Sequence, residues 1–265
     1  MKKGMTILGS LLIMYLLVVL FFYLFQSSFL FFPQGISYQV PVNEDIEEVV
    51  IPVSEGRNLH GWFSKQSNTE KHKLIIYFGG NAEEVSHLIS ATHFIGDYSL
   101  LLINYPGYGK SDGRPGEKSF FEAGLAIYDY AISRNDIRHD KISVMGRSIG
   151  TGTATYLASK RAVDKVILIS PFESIRAVAQ SKMPFLPINL LLKHRFDSKK
   201  YAQQISSPTL IFYGTNDNII PPKHTKELAG YWKGAVKTNV LEGYNHNNIF
   251  ESPEMWTEIN TFLKD

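Results

Sequence analysis

The feature that most constrains this chain is a regular alternation of short apolar runs with longer amphipathic segments, which begins near residue 47. The short runs have the length and composition of buried strands. They lie at 74–78, 99–105, 141–146, 165–170 and 209–214, and the segments with helical spacing include 82–95, 117–133 and 253–264. Strands that alternate with helices in this way predict an α/β fold: a mostly parallel central sheet with helices on both faces.

Two segments depart from this alternation. Residues 47–53 and 59–65 flank a turn at 54–58 with Gly and Asn, which predicts an antiparallel hairpin at one edge of the sheet. Residues 173–207 form an amphipathic, partly irregular insertion that resembles a small lid. We expect one α/β domain over 33–265, preceded by a distinct segment over 1–32.

The pentapeptide at 146–150, Gly-Arg-Ser-Ile-Gly, matches the pattern G-x-S-x-G. That pattern has chemical meaning only where a strand ends at the serine and a helix begins after it. The apolar run 141–146 and the small-residue segment from Thr151 supply this context. A tightly packed glycine turn is the structural alternative, but the context favours a nucleophile elbow with Ser148 as the nucleophile.

A serine hydroxyl needs a histidine base and an acid, which in this topology follow in the order serine, acid, histidine. Asp217 follows the run 209–214, and His246 follows the next predicted strand, 236–243. Asp217 could instead cap a turn, and His246 could be a surface residue. None of the other seven histidines follows the last predicted strand, so the candidate catalytic residues are Ser148, Asp217 and His246.

The negative charge that develops on the substrate oxygen also needs hydrogen-bond donors. One expected donor is the backbone N–H of Ile149, the residue after the nucleophile. The other is expected from the loop after the 74–78 strand, where Gly79 and Gly80 allow a close backbone approach. The N–H of Asn81 is the favoured second donor and that of Ala82 the next choice.

The first residues are unlike the rest of the chain. No charged residue lies between Lys3 and Glu44, and Thr6–Phe25 is nearly all apolar. Twenty helical residues span about 30 Å, the thickness of a bilayer core. A cleaved signal peptide is disfavoured because the run is long and no alanine precedes Ala82. The sequence predicts an uncleaved transmembrane signal anchor, with a buried core helix as the alternative.

Charge predicts the orientation of this anchor. Two lysines precede it, and four acidic residues within 44–48 follow it. By the positive-inside rule, the N-terminus lies in the cytoplasm and the catalytic domain is extracytoplasmic.

Composition excludes several other classes of site. Cysteine is absent, so disulfides, a cysteine nucleophile and thiolate metal sites are impossible. A net charge of +2 without a basic stripe gives no sign of a nucleic-acid partner. No metal-binding motif is present, so no metal or other cofactor is expected, and the oligomeric state stays open.

These motifs together resemble membrane-anchored α/β-hydrolase domain-containing proteins of the serine-aminopeptidase-like branch. The resemblance covers nearly the whole chain and includes the N-terminal anchor. It rests on FGGNAE (78–83), NYPGYGKSDG (104–113), GRSIGTG (146–152), SPFESI (170–175), PFLPINLLLKHRFDS (184–198), GTNDNIIP (214–221) and GYNHNN (243–248). Relatives usually carry His-Gly-Asn-Ala in the oxyanion loop, whereas this chain has Gly79, so it lacks the imidazole that steadies the loop in relatives.

The resemblance implies a serine hydrolase of carboxylic ester or thioester bonds, with lipid or acylated substrates among the candidates. The anchor would hold the domain near such substrates. Apolar residues of the insertion either line an acyl groove or simply pack; they are Met183, Phe185, Leu186, Leu190, Leu191 and Leu192. A serine peptidase or amidase with the same triad is the first alternative, because the triad does not encode the leaving group. A non-catalytic, membrane-tethered binding domain is the second.

Overall fold

The computed structural model describes residues 2–37, 39–53, 56–66 and 70–264. Within these residues, eight strands form one sheet in the order β1-β2-β4-β3-β5-β6-β7-β8. They are β1 (Ile46–Pro52), β2 (Asn58–Ser64), β3 (His72–Phe78), β4 (Tyr98–Ile103), β5 (Ile137–Arg147), β6 (Val166–Ile169), β7 (Thr209–Gly214) and β8 (Val236–Leu241). Strand β2 runs antiparallel to β1 and β4, and all other neighbours are parallel. The mostly parallel sheet and the edge hairpin are confirmed, while Ser54 and Glu55 of the hairpin turn lie outside the described residues.

Helices cover both faces of this sheet. The helices of the described residues are α1 (Lys2–Leu30), which lies away from the sheet, α2 (Glu117–Ser133), α3 (Ile149–Ala158), α4 (Ile175–Lys182), α5 (Ile188–Leu191), α6 (Ser198–Ala202), α7 (Pro222–Ala229) and α8 (Pro253–Lys264), with 3₁₀ helices at Val85–Phe94 and Ile249–Glu251. Alternate residues of a strand point to opposite faces. Ile76 of β3 accordingly packs in the cluster that contains residues of α2 and α3, and Ile75 in the cluster that contains the 3₁₀ helix and α8.

Helix α1 differs from the others because its apolar side chains are not part of the core. Its 29 residues extend about 43 Å, more than a bilayer core requires. The helix is long and apolar enough to span a membrane, and none of its most apolar stretch is buried. The alternative of a buried core helix is therefore wrong.

The insertion 173–207 contains the short helices α4, α5 and α6 and lies beside α1. The side-chain amide of Gln26 joins the two: its Nε2 donates to the Leu191 carbonyl at 3.1 Å, and its Oε1 accepts the Lys193 N–H at 2.7 Å. Gln26 is 9% exposed, so these bonds satisfy a polar group that would otherwise be costly to bury.

The order of the strands determines where a site can form. The chain leaves β3 towards β4 on one side, and β5 lies on the other side of β3. Ligands of open α/β sheets bind outside the carboxyl ends of the strands at such a point of reversal. The loop after β3 and the elbow after β5 meet there.

Candidate active site

Ser148 occupies a strained turn between β5 and α3. Its backbone has φ of 52° and ψ of −122°, a region that residues with a Cβ rarely adopt. The flanking glycines make this turn possible. A Cβ on Gly150 would lie 2.1 Å from the Phe78 carbonyl oxygen, and one on Gly146 would lie 2.6 Å from that of Gly150. The predicted strand–turn–helix is present, with the serine hydroxyl at the end of the strand.

The three candidate catalytic residues come together in one hydrogen-bonded line. The Nε2 of His246 lies 2.9 Å from the Oγ of Ser148, and its Nδ1 lies 2.7 Å from the Oδ2 of Asp217. All three are buried, with exposures of 7%, 7% and 2% for the serine, histidine and aspartate. The imidazole is thus held between a hydroxyl and a carboxylate, the arrangement in which histidine can accept a serine proton.

The two carboxylate oxygens of Asp217 bond to different partners, one to its own loop and the other to His246. Its Oδ1 accepts the N–H groups of Ile219 and Ile220 at 2.9 and 2.7 Å, as the turn-capping alternative requires. Burial alone would raise the pKa of its carboxyl, but the hydrogen bond and charge of His246, with the Ile220 N–H, hold that pKa below its usual value. The group is therefore an anion that can orient the imidazole and stabilise its positive form.

The loop after β3 lies beside the nucleophile. Asn81, Ser148 and Ile149 line the same pocket. The Gly80 N–H already donates to the Glu83 carboxylate at 2.8 Å, so that group is not available to a substrate. Ile149 opens α3, and the first N–H groups of a helix have no partner within it. Asn81 and Ile149 thus lie beside the nucleophile, and their N–H groups stay the expected oxyanion donors.

The carboxylate of Glu83 supports the oxyanion loop. Besides the Gly80 N–H, its buried carboxylate accepts the Tyr77 hydroxyl at 2.5 Å and pairs with the guanidinium of Arg147 at 3.0 Å. Arg147 also donates to the carbonyl of His246 at 3.0 Å. The sequence analysis missed this network; the acidic residue that directly follows Gly-Gly-Asn-Ala was the available signal.

Asn81 is held by hydrogen bonds to the end of α1, to the chain just after it and to Tyr108. Its carbonyl accepts the Phe32 N–H at 2.9 Å and the Tyr108 hydroxyl at 2.7 Å. Its side-chain amide donates to the Leu30 carbonyl at 3.2 Å. Two hydrogen bonds therefore join the oxyanion loop to the end of the N-terminal helix, and the Tyr108 hydroxyl adds a third bond to the same carbonyl.

An apolar pocket of about 350 Å³ opens at Ser148, within the size range of small-molecule sites. Four of the six apolar residues singled out in the insertion line it: Met183, Leu186, Leu191 and Leu192. The other two do not; Phe185 is 61% and Leu190 84% exposed.

A second serine–histidine–carboxylate contact lies between α4 and α7. The Nε2 of His224 is 3.2 Å from the Ser181 hydroxyl, and its Nδ1 is 2.9 Å from Glu173. Ser181 lies in the last turn of α4, where its hydroxyl donates to the Val178 carbonyl, so it has no strained elbow. We interpret this contact as a structural tie between the two helices. Among the described residues, no cluster of His, Asp and Glu could hold a metal ion.

Comparisons with known proteins agree with this architecture. A family model described as the alpha/beta hydrolase fold matches residues 59–196 and 195–253. An uncharacterized protein of Mycobacterium tuberculosis is 27% identical over 258 residues, covering 94% of this chain and 90% of that protein. The lysophosphatidylserine lipase ABHD12 of Danio rerio is 27% identical over 237 residues, covering 77% of this chain and 61% of that protein. Among solved structures, an esterase of Pyrococcus furiosus has a TM-score of 0.70 at 17% identity, covering 89% of this chain and 97% of that one, a likeness of fold.

Proposed function

Because this chain belongs to the alpha/beta hydrolase fold family, we propose that it is a membrane-anchored serine hydrolase that cleaves carboxylic ester or thioester bonds. The observation that carries the proposal is the line of hydrogen bonds from Ser148 through His246 to Asp217. A scaffold that only binds has no physical need for all three groups in this geometry.

In the proposed mechanism, His246 takes the proton of Ser148 as the hydroxyl attacks the substrate carbonyl carbon. Asp217 stabilises the resulting imidazolium. The oxyanion of the tetrahedral intermediate receives hydrogen bonds from the N–H groups of Asn81 and Ile149, each worth about 2.7–4 kcal/mol of barrier in such sites. The imidazolium then protonates the leaving alcohol or thiol. Water, activated by the same histidine, releases the acyl group from the serine.

The pocket favours esters of apolar acids over peptides. Among the described residues, its lining contains a single charged residue, Lys182, and no carboxylate. An aminopeptidase needs an anionic group to bind the free amino end of its substrate, because an unpaired buried ammonium is costly. The name of the Danio rerio relative, a lysophosphatidylserine lipase, also supports lipid esters as the substrate class.

We propose further that residues 1–32 anchor the protein and that α1 crosses the membrane once, with the N-terminus in the cytoplasm. The insertion 173–207 is proposed to act as a small lid over the pocket of the 33–265 domain. Support comes from the apolar helix and from the two lysines that precede it.

Labelling of the full-length protein with a fluorophosphonate probe tests the enzymatic proposal. We expect wild type to be labelled and Ser148→Ala to be unlabelled, with ester turnover lowered on the order of 10⁴-fold or more. Ser181→Ala is the matched control, because that serine also contacts a histidine paired with a carboxylate; it should be labelled like wild type. Equal labelling of Ser148→Ala and wild type, or no labelling of wild type, would refute the proposal.

A further inference from the structure

One face of the N-terminal helix forms a wall of the pocket at Ser148. Phe22, Gln26, Phe29 and Leu30 of α1 line that pocket. Their spacing of four, three and one residues places them on a single side of a helix. The insertion supplies the opposite wall, including Leu186. The pocket is thus enclosed between the domain and the segment that is proposed to cross the membrane.

The contacts between α1 and the insertion extend well down the helix. The Tyr15 hydroxyl donates to the Phe185 carbonyl at 2.9 Å, and the Gln26 amide holds the backbone of the insertion at Leu191. Tyr15 precedes Gln26 by 11 residues, which corresponds to about 16 Å along the axis. The insertion therefore runs beside the helix over a length of about half the thickness of a bilayer core.

A charged side chain of the insertion indicates where the lipid headgroups are expected along this helix. The ammonium of Lys193 lies 4.2 Å from the centre of the Tyr23 ring, and lysine and tyrosine are typical of the membrane–water interface. Tyr15 lies about 12 Å deeper, towards the membrane centre. At that depth the insertion presents Phe185 to its surroundings, 61% exposed. Exposed apolar side chains at this level fit a segment that dips into the acyl region of the leaflet.

We propose that the substrate is a membrane-resident ester of a long-chain fatty acid, whose acyl chain passes from the leaflet into the pocket between α1 and the insertion. This inference rests on the serine hydrolase function proposed above. The ester carbonyl reaches Ser148 at the inner end of the pocket, and Phe22 and Phe29 contact the chain along its length. The membrane helix is therefore a specificity-determining part of the site as well as an anchor.

Chain-length selectivity of full-length protein in phosphatidylcholine vesicles tests this inference. Two separate substitutions on α1, Phe22→Trp and Phe29→Trp, each add bulk that narrows the pocket. The two positions lie two helical turns apart. We expect kcat/KM for p-nitrophenyl palmitate to fall at least about tenfold, as for steric changes in apolar pockets. The value for p-nitrophenyl acetate should fall much less, because its short acyl group does not extend into the outer pocket, so the ratio of palmitate to acetate hydrolysis falls.

Leu24→Trp is the matched control, since Leu24 lies on α1, is 59% exposed and does not line the pocket. It should keep the wild-type ratio of palmitate to acetate hydrolysis. An unchanged ratio in both phenylalanine variants, or the same change in Leu24→Trp, would overturn the inference and leave the serine hydrolase intact. A wild type that neither hydrolyses acetate nor reacts with fluorophosphonate would overturn the proposed function itself.

Discussion

The carboxylate of Glu83 joins three parts of the candidate site. It fixes the oxyanion loop through the Gly80 N–H and pairs with Arg147, which is next to the nucleophile and bonds the His246 carbonyl. Neither Glu83 nor Arg147 reaches the reacting atoms. Glu83 is therefore best described as a positioning residue.

We expect Glu83→Gln to lower kcat for p-nitrophenyl acetate by about 10- to 100-fold, with KM little changed. The amide keeps the size of the side chain but loses the charge that pairs with Arg147, so the loop and the elbow lose their common support. Displacements of about 1 Å at a catalytic site have effects of this size. Steady-state kinetics of the full-length protein checks the prediction.

Glu84→Gln is the control for this change. Glu84 is the next residue, and its carboxylate bonds to Ser86 and Asn104 instead of the elbow. Its kcat should stay near that of wild type. A merely structural role for Glu83 would instead lower the unfolding temperature of Glu83→Gln without a specific loss of kcat.

The contrast between Ser148 and Glu83 shows what a single sequence can predict at this scale. Ser148, Asp217 and His246 each follow a strand, so the topology alone brings them to one edge of the sheet. The partners of Glu83 come from β3 and the elbow, and no local pattern signals their approach. The acidic residue after Gly-Gly-Asn-Ala is visible in the sequence, but its pairing with Arg147 is not.

At the scale of the secondary-structure elements, a histidine contributes to the contact between α1 and the insertion. The Nδ1 of His194 accepts the Glu117 N–H at 3.3 Å, so its proton resides on Nε2, which faces the Ser27 hydroxyl at 3.1 Å. Burial, with the nearby charge of Lys193, lowers the pKa of this imidazole. The neutral ring thus connects α1, the insertion and the start of α2.

This connection should weaken in acid. A histidine whose folded-state pKa is depressed stabilises the fold fully above its unfolded value of about 6.5, and that contribution is lost as the pH falls through the folded pKa. We expect His194→Asn, which keeps an acceptor for the Glu117 N–H, to lose less stability than wild type between about pH 7.5 and pH 5. Thermal unfolding of the detergent-solubilised proteins measures this difference. Parallel pH profiles for the two proteins would contradict it.

The elements themselves were predictable where periodicity was strong. Helices α2 and α8 and strand β7 have the predicted bounds, because clear alternation or helical spacing continues to a terminating residue. The segment predicted as helical over 82–95 is a 3₁₀ helix, Val85–Phe94. The path of the insertion could not be predicted, because it is set by long-range hydrogen bonds. The N–H groups of Arg195 and Phe196, for example, donate to the carboxylate of Glu117.

For the molecule as a whole, the proposed membrane orientation can be tested with single introduced cysteines, because the chain has no cysteine of its own. Lys118→Cys introduces a thiol at a side chain that is 90% exposed. If the domain is extracytoplasmic, a membrane-impermeant maleimide should label this variant in intact spheroplasts as fully as after lysis. The extent of labelling on a gel is the measurement.

Gly4→Cys reports the other end of α1, where a side chain meets open space. It should react only after lysis, because the proposed orientation places this end of the helix in the cytoplasm. Protection of Lys118→Cys in intact spheroplasts, together with labelling of Gly4→Cys, would show that the orientation is the reverse of the one proposed.

The hydrogen bonds between Asn81 and the end of α1 have a practical consequence for anyone who purifies this protein. Removal of a membrane helix is a common route to a soluble enzyme. Here a truncation after Phe32 would delete the N–H that holds the Asn81 carbonyl and the carbonyl that accepts its side-chain amide. It would also open the pocket along the side formed by Phe22 and Phe29. The fragment would therefore lack part of the candidate site, and its substrate profile would describe the fragment instead of the full-length protein.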